Sequence, residues 1–334
     1  MKNVLLTSFG GPLSWEYYQD FSVRGVYRIF LGDQNMQARA RICTKDFITL
    51  LPGTHSEYCA DLLKKALAND ICMIIPGSDE EVMALMLQRA DFEKAGIIVT
   101  VQDLTYAQYF SSKSSMYSLL INRGFSVPSY KVFCNESEFD LALKSLGYPE
   151  KPLVIKPDKG RGGRGIVLLT ERPIANKDGL NMMNCDFFKY FLDNKTPYLI
   201  MNYLESTMYD IDVLQYANGQ LFFGYRRRFH NVSKIFHGNS FEKSSIMDAY
   251  AKKLYAIFPT KYLIDYDVSV TADGRIDLIE INPRPSGSTI SYLPLNFNLY
   301  HALMRSHLDR VHEIPDVKFN GQNVLAFHHM LICA

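Results

Sequence analysis

Two strand-like runs, at residues 262–270 and 275–282, lie on either side of the dipeptide Asp273-Gly274. An Asp-Gly pair between such runs predicts a β-hairpin with a two-residue type I′ turn, a geometry that requires a positive φ at both central residues. Because the side chains of a strand alternate between its two faces, this register decides which residues meet across the hairpin. The predicted cross-strand pairs are Ala272 with Arg275, Asp267 with Glu280, and Asp265 with Asn282.

The predicted hairpin brings acidic side chains together on one face. Like charges directly opposite each other are unfavourable by roughly 0.2–1 kcal/mol per pair, so the facing acids Asp267 and Glu280 suggest a cation between them. Ligands that offer only oxygen suit Mg²⁺, which takes one or two carboxylates together with substrate phosphates. Arg284 follows these residues and is placed to contact a phosphate oxygen. The alternative is a solvent-facing hairpin with incidental acids.

A glycine-rich loop at residues 156–165 contains the pattern G-x-G-x-x-G. A Rossmann loop needs a helix after it, but residues 166–170 are apolar and β-branched, and Ile166 occupies the position where a Walker A loop needs lysine. A loop between two strands, with Lys156 on the first, is typical of a flap over a triphosphate. A surface hairpin with solvated cations is the alternative. The glycines expected to approach the phosphates are Gly160, Gly162, Gly163 and Gly165.

The N-terminal third alternates short strand-like runs with amphipathic helical segments, which predicts an α/β domain with a parallel sheet. Ligands bind such sheets where strands end, so two loops are candidate substrate contacts. Ser78 is equally well placed as a helix N-cap, with Glu81 three residues later in a capping box. The pattern changes at about residue 130 and becomes hairpin-rich from about residue 198, which predicts an α+β fold. The candidate contacts are Gly10, Gly11, Ser78 and Asp79.

Composition limits the class of protein. A chain of 334 residues that is 47% hydrophobic can form two or three domains. Its net charge of +1 gives no reason to expect nucleic acid or a membrane surface as a partner. The six cysteines form no C-x-x-C pair, which argues against zinc and indicates free thiols in a reducing compartment. Without a signal-peptide pattern or an apolar run of about 18 residues, the expectation is a soluble cytoplasmic protein.

A strand–glycine loop–strand unit, followed about 100 residues later by D-x12-E-x-N-x-R, resembles the ATP-grasp superfamily. The similarity is greatest to the carbamoyl-phosphate-synthase-like and D-alanine–D-alanine-ligase-like members, and it covers nearly the whole chain. It implies an α/β parallel-sheet (pre-ATP-grasp) domain at residues 1–110, followed by an α+β ATP-grasp fold. In that fold, residues 111–200 would form the lid subdomain and residues 201–334 the C-terminal subdomain with the metal site.

The resemblance also implies roles for individual residues. Lys113 and Lys156 match lysines that contact the nucleotide phosphates. The family often has acids that hold the ribose where Thr207 and Met208 stand, and Glu205 is a possible substitute. The segment expected at the nucleotide base comprises Asn202, Tyr203, Leu204 and Glu205. The implied metal ligands are Asp267, Glu280 and Asn282.

Three arginines are the implied contacts of the phosphate or acyl phosphate. Arg284 matches the phosphate-contacting arginine of the family. Alternation along a strand places Arg226 and Arg228 on one face and Arg227 on the other. The family has basic residues near this position that hold the acyl phosphate, which favours Arg226 and Arg228. The alternative is that both belong to a solvated or ion-paired edge.

The implied chemistry is transfer of the γ-phosphate of ATP to a small-molecule carboxylate, with an amine then displacing phosphate. The expected cofactors are ATP and Mg²⁺, with Mn²⁺ as a substitute. Two alternatives stay open: a thiol or ammonia as nucleophile, and a non-catalytic ATP-binding module, which the missing ribose acids suggest. Substrate specificity is also expected at Ser286 and Ser288. Relatives are often dimers, so the apolar segment Ile290–Leu303 is a candidate homodimer interface.

Overall fold

The computed structural model describes residues 1–11, 13–160, 165–172, 174, 180–203, 206–229, 236–314, 317 and 319–326. Three sheets lie within these ranges, one parallel, one mixed and one antiparallel. The predicted architecture, a parallel-sheet α/β domain followed by α+β structure, is confirmed. The domain boundaries at residues 110 and 200 stay predictions. Among the described residues, no helix is both long and apolar enough to cross a membrane.

The first sheet is parallel, with strand order β3-β2-β1-β4-β5. Helix α4 begins at the predicted cap: Ser78 Oγ accepts from the N–H of Glu81, and the Glu81 carboxylate accepts from the N–H of Ser78 in return. The elements are β1 (Lys2–Leu6), α1 (Ser14–Arg24), β2 (Tyr27–Asp33), α2 (Arg39–Cys43), β3 (Phe47–Thr49), α3 (Tyr58–Ala68), β4 (Ile71–Ile75), α4 (Asp79–Lys94) and β5 (Ile98–Val99).

The second sheet has the order β6-β10-β7-β8-β9. Strands β7 and β8 are antiparallel and flank the glycine-rich loop, as the sequence predicts. The elements are α5 (Ala107–Ser111), α6 (Lys113–Asn122), β6 (Tyr130–Phe133), α7 (Glu136–Leu146), β7 (Leu153–Pro157), β8 (Val167–Leu169), β9 (Asn181–Met183), α8 (Cys185–Lys189) and β10 (Tyr198–Asn202).

The third sheet is antiparallel, with the order β15-β14-β11-β12-β13-β16. Its two central strands carry the polar residues of the site described below. The elements are β11 (Ser206–Gln215), β12 (Leu221–Arg228), β13 (Gly238–Phe241), α9 (Ser245–Ile257), β14 (Leu263–Thr271), β15 (Ile276–Asn282), α10 (Leu299–Asp309) and β16 (Asn323–Leu325). Two 3₁₀ helices, Leu104–Tyr106 and Thr289–Leu295, complete the set.

A shared hydrophobic core joins the first sheet to the third. It contains Val4 and Leu6 of β1 together with Tyr292 and Leu303, and all four are fully buried. Most apolar side chains of Ile290–Leu303 are therefore covered by the chain itself. This burial leaves little apolar surface there for a partner, and the homodimer interface stays a prediction.

The turn of the β14–β15 hairpin differs from the predicted two-residue turn. The N–H of Thr271 donates to the C=O of Arg275, and the N–H of Gly274 donates to the C=O of Thr271, which makes a three-residue loop. Gly274 has a φ of 83° but Asp273 is not among the residues with positive φ, whereas a type I′ turn needs both. The predicted pairing of Ala272 with Arg275 is therefore wrong.

A second one-residue deviation cancels the first. The register shifts between Asp267 and Val268, so that Ile279 is the extra residue of a bulge in β15. Beyond the bulge, Asp267 pairs with Glu280, and Asp265 pairs with Asn282. The two predicted pairs that contain the acidic residues of the hairpin are therefore correct. Ile279 lines a cavity next to Glu280 instead of packing into the core.

Candidate functional site

A cavity of about 300 Å³ lies between the second and third sheets. One end is mainly apolar and is formed by side chains such as Val154, Ile166 and Met201. The other end is charged, and the polar residues Ser206 and Ser269 also line the wall. A flat aromatic group fits the apolar end, and an anionic chain fits the cationic side chains beyond it. The charged residues that line this cavity are Lys113, Lys156, Arg228, Asp267 and Glu280.

Helix α6 begins beside the glycine-rich loop because Asp158 binds its first turn. The Asp158 carboxylate accepts from the hydroxyl of Ser112 at 2.9 Å and from the N–H of Ser114 at 2.7 Å. This contact places Lys113, the first residue of α6, so that its Nζ lies 2.9 Å from the C=O of Gly160 and 3.1 Å from Glu280 Oε1. Three predicted site residues are thus brought together. Asp158 was not predicted, although it lies within the loop motif.

Lys156 reaches the cavity from strand β7 and is 4% exposed. Its Nζ donates to the hydroxyl oxygen of Tyr117 at 3.1 Å and lies 5.3 Å from the centre of that ring. Burial disfavours the charged ammonium and lowers the pKa of Lys156 to about 8, against the opposing effect of Glu280 and Asp267. The site therefore holds a buried lysine whose charge any bound anion would stabilise.

Four aspartates meet where strands β11 and β14 pair. Asp210 lies opposite Asp267, and Asp212 lies opposite Asp265. The aspartates of β11 were not predicted as site residues. Both strands carry the same D-x-D spacing, and this signal could have identified them. Three of these acids, Asp210, Asp265 and Asp267, have carboxylate oxygens within 4.8 Å of one another.

Arg228 links two of these acids at the mouth of the cluster. Its Nη2 lies 2.6 Å from Asp267 Oδ1, and its Nε donates to Asp210 Oδ1 at 3.0 Å. The side chain is 32% exposed and lines the cavity. Arg228 is therefore positioned to contact a ligand.

Arg226 has no exposed side-chain surface. It donates to both oxygens of Asp212, at 2.6 and 2.9 Å, and its Nη1 donates to Ser288 Oγ. It also lies 5.8 Å from the centre of the Tyr292 ring. Arg226 shares its face with Arg228 as predicted, but it does not line the cavity. Strand β12 is flanked by strands on both sides and is not an edge, but both arginines are ion-paired, as the alternative expected.

Burial and neighbouring charges act differently on the clustered acids. Burial raises the pKa of Asp265 well above its usual range, and Asp210 and Asp267 raise it further. Burial also raises the pKa of Asp212 despite the opposing charge of Arg226. The pKa of Asp210 is instead lowered, because Arg228 and Arg226 outweigh the effect of its burial. These shifts favour the charged form of Asp210 and the protonated form of Asp265.

Arg284, which follows strand β15, contacts the start of helix α4. Its Nε lies 2.8 Å from Asp79 Oδ1, and its Nη1 donates to the C=O of Pro285. Burial lowers the pKa of Arg284, but the carboxylate of Asp79 more than compensates and the net shift is upward. The predicted substrate residue Asp79 therefore meets the predicted phosphate-contacting arginine, and a salt bridge joins the two parts of the chain.

The other predicted site residues lie in several places. Gly10 donates its N–H to Asp33 Oδ2 at 2.8 Å, and a Cβ added there would approach the Asp33 carboxyl group to 2.6 Å. The hydroxyls of Ser286 and Ser288 lie 3.0 Å apart. Asn202 and Tyr203 line the apolar end of the cavity, whereas Gly11 is exposed. The predicted residues that lie outside the described ranges are Gly162, Gly163, Leu204 and Glu205.

Comparisons with known proteins give a match to a family model over part of the chain and a shared fold over most of it. Residues 194–330 match the sequence model of a family described as "ATP-grasp in the biosynthetic pathway with Ter operon". No curated protein sequence matches the chain. The ADP complex of PurK, an N5-carboxyaminoimidazole ribonucleotide synthetase, has a TM-score of 0.69 and 18% identity, over 96% of this chain and 79% of that chain.

Two further solved structures share the fold. The biotin carboxylase domain dimer of the 2-oxoglutarate carboxylase of Hydrogenobacter thermophilus, in complex with MgADP, ADP and bicarbonate, has a TM-score of 0.64 and 15% identity, over 91% of this chain and 69% of that chain. The L-amino acid ligase of Bacillus licheniformis has a TM-score of 0.58 and 14% identity, over 88% and 69%. At these identities the likeness establishes the fold.

Proposed function

We propose that the chain belongs to the ATP-grasp superfamily and is an ADP-forming ligase that phosphorylates a small-molecule carboxylate and joins the acyl phosphate to an amine. The observation that carries the proposal is the cavity between the second and third sheets. It combines an apolar end suited to adenine with lysines, an arginine and acids at the other end. The names of two similar structures, a carboxyaminoimidazole synthetase and an amino acid ligase, support carboxylate–amine chemistry.

The donor set at the charged end fits Mg²⁺. Asp267 and Glu280 face each other across the hairpin, and Asn282 Nδ2 donates to Asp267 Oδ1 at 3.3 Å. All three side chains offer oxygen, the donor that Mg²⁺ prefers. Both acids contact a cation of the chain itself, Arg228 or Lys113, which indicates that this end attracts positive charge. A bound Mg²⁺ would neutralise charge on the phosphates of ATP.

The side chains of the site would act mainly by position and charge. Lys156 would contact the phosphates from the floor of the cavity, and Lys113 would do so from the start of α6. Arg228, at the mouth, is the described arginine best placed for the acyl phosphate. Arg284 would turn from Asp79 towards a phosphate oxygen. Such preorganised charges typically contribute about 10²–10³-fold each to a reaction that develops negative charge.

Release of ADP from ATP across a panel of carboxylic acids, with and without amines, tests the proposed function. We expect release only in the presence of Mg²⁺, one acid and one amine. If ADP release requires a thiol or ammonia instead of an amine, that compound is the second substrate. ATP binding without ADP release under every combination would contradict a ligase and favour a non-catalytic ATP-binding module. Met208, which lines the cavity where the family often has an acid, motivates that second candidate.

ATP affinity should fall as the pH rises through about 8. The pKa of Lys156 is lowered to about 8 in the free protein, and bound phosphates would raise it. Below this pH Lys156 is charged in both the free and the ATP-bound protein, so its contribution to ATP affinity is constant. Above this pH the lysine of the free protein is neutral and must take up a proton when ATP binds. Calorimetric titration near pH 8.5 in two buffers of different ionisation enthalpy should reveal that uptake. Equal heats in both buffers, or uptake that persists in Lys156→Met, would contradict the assignment.

A further inference from the structure

The aspartate cluster extends beyond the proposed Mg²⁺ ligands. Asp210 and Asp265 are each 1% exposed, and their carboxylate oxygens lie within 4.8 Å of those of Asp267. Neither Asp210 nor Asp265 lines the cavity between the sheets. Clustered acids do not by themselves indicate a ligand, because arginines often neutralise them.

One buried oxygen of the cluster has no donor. Asp265 Oδ2 accepts from Asn282 Nδ2 at 3.1 Å, but Asp265 Oδ1 has no hydrogen-bond partner among the described residues. The two neighbouring arginines contact Asp210, Asp212 and Asp267, not Asp265. A buried polar atom without a partner costs about 1–3 kcal/mol, and more if it is charged. The lone oxygen therefore points to a missing positive group.

The charges around this oxygen do not balance. If all four were ionised, Asp210, Asp212, Asp265 and Asp267 would carry four negative charges, whereas Arg226 and Arg228 supply two positive charges. Burying unpaired charge is strongly unfavourable. Two explanations are available, a proton on Asp265 or a bound cation. A proton removes one of the two excess charges, whereas a divalent cation removes both.

We propose that Asp210, Asp265 and Asp267 form a divalent-cation site that fills in the absence of nucleotide. It shares Asp267 with the proposed Mg²⁺ ligands but uses neither Glu280 nor Asn282 as a required ligand. Oxygens on opposite sides of an ion are about 4.2 Å apart for Mg²⁺ and about 5 Å apart for Ca²⁺. The carboxylate oxygens of the three aspartates lie within 4.8 Å of one another, a spacing that either ion can bridge.

Arg228 competes with the cation for the same oxygens. It contacts Asp210 and Asp267, and its side chain is 32% exposed, so it can swing into the cavity when an ion enters. Cation binding would thus release Arg228 from the cluster and expose its guanidinium to a ligand. The proposed ligase activity is not needed for this inference, which concerns the protein without nucleotide or substrate.

Titration of the nucleotide-free protein with Mn²⁺, followed by electron paramagnetic resonance, tests the site. We expect about one bound Mn²⁺ per chain. Asp265→Asn should weaken that binding about 10–100-fold, the size seen when a metal site loses a supporting group, and should weaken it more than Glu280→Gln does. Absence of bound Mn²⁺ at millimolar concentration in the wild type, or loss in Glu280→Gln but not in Asp265→Asn, would overturn the proposal.

A second variant keeps the test decisive if Asp265→Asn does not fold. Arg228→Gln removes the competing guanidinium, so Mn²⁺ should bind more tightly than to the wild type. Asp61→Asn, which removes an acid from an exposed ion pair with Lys65, is the matched control and should bind Mn²⁺ like the wild type. Unchanged or weaker binding in Arg228→Gln would contradict a site at these aspartates. Because no ATP is present, failure of the ligase proposal would not affect this result.

Discussion

Glu280→Gln should lower the rate of ADP formation by about 10²-fold or more while leaving the protein folded. Glu280 faces Asp267 across the hairpin and contacts Lys113 Nζ at 3.1 Å. The amide keeps the shape of the side chain but removes the charge that would hold Mg²⁺ and position the lysine. A loss of this size is typical when one charge-stabilising group is removed from an active site. Steady-state ADP release at saturating ATP, with the acid and amine found by the substrate panel, measures it.

Glu242→Gln is the matched control for this variant. Glu242 pairs with Arg227 at 2.9 Å on a partly exposed surface and does not line the cavity. The same change of charge there should leave turnover within about twofold of wild type, since surface ion pairs contribute about 0–1 kcal/mol. Wild-type turnover in Glu280→Gln would contradict the proposal that Glu280 is a metal ligand. Equal losses in both variants would show that the effect is not specific to the site.

Gly224→Ala should destabilise the protein by about 2–4 kcal/mol. A Cβ at this position would lie 1.8 Å from the hydroxyl oxygen of Tyr292 and 2.9 Å from its Cζ. The hydroxyl cannot simply move away, because it donates to Asp212 Oδ2 at 2.8 Å inside the core. The variant combines overpacking, at about 1–3 kcal/mol, with loss of a buried hydrogen bond. The shift of the urea-unfolding midpoint, followed by circular dichroism, measures it.

A double variant isolates the collision. Tyr292→Phe removes the hydroxyl that the new methyl group would strike, so Gly224→Ala should cost less in that background than in the wild type. Gly11→Ala serves as the control, since a Cβ there meets no atom within 4 Å. Equal costs of Gly224→Ala in both backgrounds would contradict the steric explanation. A wild-type midpoint for Gly224→Ala would show that Tyr292 is free to move.

Glu280→Gln and Gly224→Ala test different parts of the third sheet. Glu280 lines the cavity. Gly224 has no side chain, which leaves space for the Tyr292 hydroxyl that donates to Asp212. Asp212 in turn holds Arg226 through two hydrogen bonds. Arg226, predicted as a contact of the acyl phosphate, is thus placed to position the buried network below Arg228. Its role at the acyl phosphate stays a prediction.

The sequence alone determined features that depend on neighbouring residues. The capping box at Ser78 and the strands on either side of the glycine-rich loop formed as predicted. The pairing of Asp267 with Glu280 also formed as predicted, although the turn is one residue longer than predicted and β15 contains a bulge of one residue. In these cases the turn chemistry and strand alternation act within about 30 residues, so the information is local.

Only the tertiary structure decided what depends on distant pairing. The sequence shows Asp210 and Asp267 as two separate acids, 57 positions apart, and the β11–β14 register makes them neighbours. The apolar pattern of Ile290–Leu303 likewise predicts burial but does not say which surface covers it. The chain covers this segment with its own first sheet. Burial and charge pairing are properties of the surfaces brought together, and a local pattern does not specify which surfaces those are.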